Sequence, residues 1–395
     1  MHLRRAPAAM SRAVAGKALA ASLVALLAVA LWAGPDWLRG LSFVVRAAGM
    51  RGDAAEALSR WNTEPFDVSD LRVPTRHGPV RARLYRPREG WGGRTVVLTS
   101  GVHADGIDEP RLVKLAGDLA SGGHTVLTPE PEDLLRYEIT PRLPDILEDA
   151  ALWASGQKEL APDGKVALFG ISFSGGLSVV AAGRPALKDR VAATLSFGGH
   201  GDLPRVLAFL CTGALPDGSR MAPHDYGVVV ILLNVADRLV PPEQVEPLRA
   251  GIRTFLRASH LTLTDGAKAE QTFARARAFQ AELPEPAATL MGHVNARNVA
   301  ALGPLLLPHV KGFAADPSLS PERSPPPGSP VYLLHGEGDT VIPAMESVLL
   351  ARALRPHTHV EQLATPLISH AEVDRQASPS DVRRLVGFWA DLLDE

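Results

Sequence analysis

The chain has 395 residues, 46% apolar and 21% charged, enough to bury one large core or two to three small ones. Its 41 lysines and arginines against 43 aspartates and glutamates leave a net charge of −2, without the basic excess of a nucleic-acid binder. A single cysteine, Cys211, excludes a disulfide framework and any multi-cysteine zinc or iron–sulfur centre.

At the N-terminus, Arg4, Arg5, Arg12 and Lys17 precede an uncharged run from Ala18 to Pro35 whose first part, to Ala33, holds one polar side chain, Ser22. A basic flank followed by an apolar stretch reads as a signal anchor or a cleaved signal peptide. Trp32 and Trp37 stand where an interfacial aromatic belt would lie, whereas Ala28-Val29-Ala30 suits cleavage. Residues 1–40 are therefore expected to hold the rest of the chain at the cell membrane, outside the cytoplasm, or to release it there if cut. Residues 41–65 mix apolar and charged positions at helical spacing and read as an amphipathic connector.

From Phe66 the pattern turns to strands. Val68–Val73 and Val80–Tyr85 flank Thr75-Arg76-His77-Gly78 as a hairpin would. Short apolar runs at Thr95–Thr99, His124–Leu127, Val166–Phe169 and Val191–Phe197 then alternate with helical spacing at Arg111–Leu119 and Pro144–Trp153. That rhythm predicts an α/β fold, a mostly parallel twisted sheet with helices on both faces. It breaks over 202–330, which is richer in helical signals and proline, with a strand-like run only at Val228–Leu233; its end, Asp316–Pro330, has the composition of a linker. The rhythm returns at Val331–Leu334, Ala344–Leu354, His359–Leu363 and Pro379–Leu393. One α/β core, 66–201 and 331–395, is thus interrupted by an insertion too long for a plain loop.

The most informative stretch is Val166 to Gly176, where a strand enters a small-residue turn and a helix leaves. Gly170-Ile171-Ser172-Phe173-Ser174 has the form of a G-x-S-x-G nucleophile elbow, with Ser174 in place of the last glycine. Strand and helix backbones nearly touch there, so the positions two before and two after the nucleophile must be small, and Gly170 and Ser174 are. Ser174, itself flanked by Ser172 and Gly176, is a rival nucleophile. The Phe173 N–H, at the new helix start, can face an oxyanion.

A serine nucleophile needs a base and an orienting carboxylate, in the chain order Ser, Asp or Glu, His. Asp339 follows the strand Val331–Leu334 in a glycine-containing turn, at the carboxyl edge where open α/β sheets gather their ligands. His370 follows the next strand. Asp237 mimics the acid after Val230–Leu233, but it lacks the glycine turn and fits a cap or an ion pair within the insertion. Glu130, Glu132 and Asp133 suit a solvated acidic loop better than a metal site, His200 and Asp202 could line a pocket, and Cys211 suits a small core residue.

With these three motifs in order, the chain resembles the α/β-hydrolases over about 66–395, and finer similarities point toward bacterial dienelactone-hydrolase and prolyl-oligopeptidase-like members. The resemblance implies that Ser100-Gly101-Val102-His103 occupies the place of the oxyanion segment, with backbone donors at Val102 or His103, and that His335 is a structural histidine. It also implies that the insertion caps the nucleophile, with the apolar runs Val206–Leu210 and Ala300–Leu307 shaping an acyl pocket. The function expected is cleavage of a small-molecule carboxylic ester by Ser172, Asp339 and His370, with no metal or cofactor. An exported serine peptidase and a non-catalytic, membrane-tethered binding protein on the same fold are the alternatives.

Overall fold

The computed structural model describes residues 34–89, 92–262, 264–368 and 378–395. Its centre is an eight-stranded sheet: β1 (Phe66–Val73), β2 (Val80–Pro87), β3 (Gly93–Thr99), β4 (His124–Pro129), β5 (Val166–Ile171), β6 (Val191–Phe197), β7 (Val331–Gly336) and β8 (Val360–Thr365). The strands lie in the order β1-β2-β4-β3-β5-β6-β7-β8. Of these, β2 alone runs against its neighbours β1 and β4, and every other pairing is parallel. This order and polarity are those of the α/β-hydrolase fold.

The strands are apolar on both faces because helices cover both. In β5, Val166 and Leu168 join one core cluster, while Ala167 and Phe169 join the other. That alternation is the period-2 geometry of a strand read from its two sides. On one face lie a helix over residues 34–47 (α1), α3 (Pro110–Ser121) and α14 (Pro379–Asp394). On the other lie α5 (Arg142–Gly156), α6 (Phe173–Ala182) and α13 (Met345–Leu354). Two short helices, α2 (Asp53–Arg60) and α4 (Glu132–Leu135), sit in connections.

Residues 41–65 cover the stretch expected as an amphipathic connector. They divide between the end of α1 and α2, broken at 48–52, where Gly49 and Gly52 have φ of 62° and 110°. α1 is docked on the core: Phe43 packs against Trp389 with ring centroids 4.5 Å apart, and Arg46 donates to the Asp118 carbonyl at 2.9 Å. Trp37, read from sequence as an interfacial residue, packs against the same cluster. Most of the N-terminal apolar run, through Ala33, lies outside the described residues. Among the described residues, no helix is long and apolar enough to cross a membrane.

The insertion forms six helices among the described residues: α7 (Leu203–Thr212), α8 (Asp225–Val235), α9 (Pro242–Leu261), α10 (Gly266–Glu282), α11 (Ala287–Asn295) and α12 (Val299–Phe313). The strand-like run Val228–Leu233 is the middle of α8. It is buried along its whole length, so a helix satisfies its backbone internally where no neighbouring strand stands to pair with it. The stretch 316–330 is packed rather than a linker. Leu319 and Pro321 are buried, and a Cβ on Gly183, which caps the end of α6, would lie 1.8 Å from the Pro325 carbonyl. The insertion leaves and returns at one place. Glu322 N–H donates to the Gly201 carbonyl at 3.0 Å, Leu203 N–H to Ser320 Oγ at 3.0 Å, and Arg205 bridges Glu322 and Glu346, each at 2.6 Å.

Candidate active site

The carboxyl ends of the parallel strands β3, β5 and β7 bring the Gly101–His103 loop, Ser172 and Asp339 to one edge of the sheet. β5 ends at Ile171 and α6 begins at Phe173, so Ser172 alone makes the turn, with φ 55° and ψ −129°. A side-chain-bearing residue with positive φ is strained, and such strain is held where surrounding contacts over-determine it. Here Ser172 N–H donates to the Phe197 carbonyl at 2.7 Å and its own carbonyl accepts from Gly175 at 2.8 Å. The crowding is as the sequence predicts: a Cβ on Gly170 would lie 2.1 Å from the Ser174 carbonyl oxygen. Ser174 is fully buried and its Oγ has no hydrogen-bond partner among the described residues, whereas Ser172 is half-buried. Of the two serines, only Ser172 is open to a substrate.

Gly101, after β3, lies against the nucleophile; a Cβ there would meet Ser172 Cβ at 3.2 Å and Oγ at 3.7 Å. The Gly101–His103 loop thus passes directly beside Ser172. Among the described residues, no acceptor takes the N–H of Val102 or His103. Phe173, first residue of α6, has an N–H that a helix leaves without an internal partner. These donors belong to the three residues expected at an oxyanion site.

Asp339 is buried at the turn after β7. One oxygen, Oδ1, accepts from the N–H groups of Val341 and Ile342 at 2.8 and 3.0 Å. The other, Oδ2, lies toward the end of β6, 3.8 Å from where a Gly198 Cβ would stand. Gly198 follows Phe197, the residue that holds the Ser172 backbone. The turn before Asp339 is tied to β8 through Glu337 N–H and the Thr365 carbonyl, 3.1 Å apart. His370 lies outside the described residues.

Other candidates fall into structural roles. His335 is wholly buried with Nε2 2.7 Å from the Ile342 carbonyl. His200 does not line a pocket: it is wholly buried, stacked on Phe173 at 5.0 Å, with Nε2 2.8 Å from the Leu319 carbonyl. Asp202 caps α7 and pairs with Arg323 at 2.6 Å. Asp237 is exposed and pairs with Arg249 at 3.6 Å. Glu130 accepts from Ile107 N–H at 3.1 Å, Glu132 pairs with Arg136 at 2.7 Å, and Asp133 accepts from the Thr140 hydroxyl. Among the described residues, no group of His, Cys, Asp and Glu could hold a metal ion. Burial pushes the Cys211 thiol up to about 12, which makes it inert.

The apolar runs expected to shape an acyl pocket serve mainly to pack the insertion on itself. α7 and α12 cross so closely that a Cβ on Gly303 would lie 2.1 Å from the Cys211 carbonyl, and Val206, Leu207, Leu210, Leu302 and Leu306 are buried.

Sequence reasoning missed a cluster beside the Gly101–His103 loop. His103 stacks on His260 of α9, ring centroids 3.9 Å apart at 15°. Tyr137 Oη lies 3.0 Å from His260 Nδ1, and Tyr226 of α8 donates to the Val102 carbonyl at 3.1 Å. Burial lowers the His103 pKa; burial and then His103 push His260 down to about 3. Both rings are therefore neutral near pH 7. Asp105 N–H donates to His103 Nδ1 at 3.1 Å, which leaves the ring proton on Nε2. The only local signal was the half-polar start of α8, His224-Asp225-Tyr226.

No family model matches the chain, and no curated protein does. Among solved structures it is similar to a hyperthermophilic esterase from the archaeon Pyrobaculum calidifontis, with 17% identity and a TM-score of 0.46 over 90% of this chain and 91% of that one. A thermostable esterase from Pseudomonas putida ECU1011 has 13% identity and a TM-score of 0.47 over 89% and 87%. An acylaminoacyl peptidase from Pyrococcus horikoshii has 13% identity and a TM-score of 0.45 over 87% of this chain and 43% of its own.

Proposed function

We propose that the chain is a serine hydrolase that cleaves a carboxylic ester or related acyl bond. The observation that carries the reading is Ser172: a partly exposed serine on a strained strand-to-helix turn, beside Gly101 and on the sheet edge that also carries Asp339. In this reading Ser172 Oγ bonds to the acyl carbon while His370 takes its proton and returns it to the departing alkoxide. Asp339 fixes the imidazole tautomer, and water then releases the acid by the same steps in reverse order. Backbone N–H groups of Phe173 and of Val102 or His103 stabilise the oxyanion.

The test uses a fluorophosphonate probe on the full chain, with the labelled serine located by mass spectrometry, alongside hydrolysis of a short activated ester. Ser172 should carry the label, and Ser172→Ala should abolish it. Asp339→Asn should lower ester turnover by ~10⁴ through loss of the oriented tautomer, with Asp237→Asn unchanged. A label on Ser174 would reassign the nucleophile, and a folded protein that takes no label would remove the hydrolase reading.

A further inference from the structure

The segment His224–Tyr226, at the start of α8, spans the candidate site from one side to the other. His224 N–H donates to the Thr340 carbonyl, next to Asp339, at 2.9 Å. Two residues on, Tyr226 Oη donates to the Val102 carbonyl at 3.1 Å. Asp225 between them is pinned by Arg297 at 2.5 Å, and the Arg297 guanidinium lies over the rings of Phe255 and Phe273 at 5.1 and 5.4 Å.

The same part of the insertion also holds the loop after α4. Asn234 of α8 donates to the Tyr137 carbonyl at 2.9 Å and accepts from Ile139 N–H at 3.0 Å. Tyr137 is kept at φ 61°, with its hydroxyl 3.0 Å from His260 Nδ1. The Gly101–His103 loop beside Ser172 and the loop after α4 are thus both fastened to α8 and α9.

The geometry assigns Tyr226 a positioning role in the reaction proposed above, on which the inference rests: the insertion, through Tyr226, holds the Gly101–His103 loop in the form that presents its N–H donors. The physical link is the planar trans peptide. The Val102 carbonyl and the His103 N–H belong to one peptide unit and point in opposite directions. A hydroxyl that draws the carbonyl toward α8 therefore fixes the direction of the N–H, which no protein acceptor among the described residues takes. Gly101, able to turn freely, precedes that unit. Without the tether, the peptide could rotate and remove a donor. An oxyanion donor lost outright costs ~10²–10³ in turnover; a donor that is present part of the time costs less.

The experiment compares wild type and Tyr226→Phe as full chains, reading ester kinetics, the rate of fluorophosphonate labelling at Ser172, the melting temperature, and amide hydrogen exchange over residues 100–106. The tether predicts a fall in kcat of about 10-fold with KM unchanged, labelling slowed in parallel, faster exchange over 100–106, and an unchanged melting temperature. Unchanged kcat and exchange in a labelled, active protein would overturn this role alone. So would a loss of activity that tracks the folded fraction. If wild type takes no label at Ser172, the hydrolase reading fails and this role fails with it.

Discussion

His124, first residue of β4, is buried with Nδ1 3.2 Å from the Arg94 carbonyl. Burial, with a smaller push from Arg39 and Arg94, lowers its pKa to about 4. An unfolded histidine titrates near 6.5. Between those values the unfolded chain binds a proton that the folded one does not, so stability is intact above pH 6.5 and falls as pH drops toward 4. The slope is at most about 1.4 kcal/mol per pH unit for one such group. Urea unfolding at pH 7 and pH 5 should therefore show a larger loss for wild type than for His124→Gln, by ~1–2 kcal/mol. Equal losses would remove His124 as a source of acid sensitivity. Ser172 and Asp339 were legible at this same scale because each is announced by its neighbours: small residues around a sharp turn, and an apolar strand ending in glycines.

At the scale of elements, the docking of α1 on α14 depends on Gly40. A Cβ there would meet the Val386 carbonyl at 2.7 Å and the Ala390 N at 2.8 Å, both backbone atoms that cannot step aside. Gly40→Ala should therefore part the two helices at a cost of ~1–3 kcal/mol. It should be seen as a lower melting temperature and faster proteolytic cutting at 48–52, with the site untouched. An unchanged melting temperature would mean that the contact carries no stability. The strands β3 to β8 and the helices α13 and α14 could be read from the chain, since period and flanking turns mark them locally. α8 could not, because a short run of valines, isoleucine and leucines has no period to separate a buried strand from a buried helix. The packed 316–330 stretch and the Tyr226 tether were hidden for another reason. Gly183 meets Pro325, and Tyr226 meets Val102 at a separation of 124 residues; composition carries no trace of such partners.

Across the whole molecule, one apolar cluster runs from the sheet through α5 and α6 into the insertion. Leu168 and Leu177 belong to it together with Phe209, Ile231, Leu256, Met291 and Leu306. Core and insertion therefore lack the separate cores that independent domains need. Calorimetry should show a single unfolding transition, with the ratio of calorimetric to van't Hoff enthalpy near one. Removing Ser219–Pro330 should leave the core unfolded, since it would uncover α5, α6 and α7. Two resolved transitions, or a stably folded truncation, would separate the two bodies.

Yet the clamp at the insertion's root gives that same body freedom to vary. With Gly201 hydrogen-bonded to Glu322, and Arg205 spanning Glu322 and Glu346, the excursion between β6 and β7 is closed before it reaches the sheet. The entropy of closing a loop grows only with the logarithm of its length, about 0.6 kcal/mol for each doubling. Residues gained or lost at an exposed outer turn, such as 216–219, change that term by a small fraction and leave the pairing of Leu195 with Tyr332 where it is. Descendants of this chain can thus lengthen, shorten or reshape the outer turns without moving Ser172 or Asp339, so selection can tune what enters the site while the chemistry beneath stays in register.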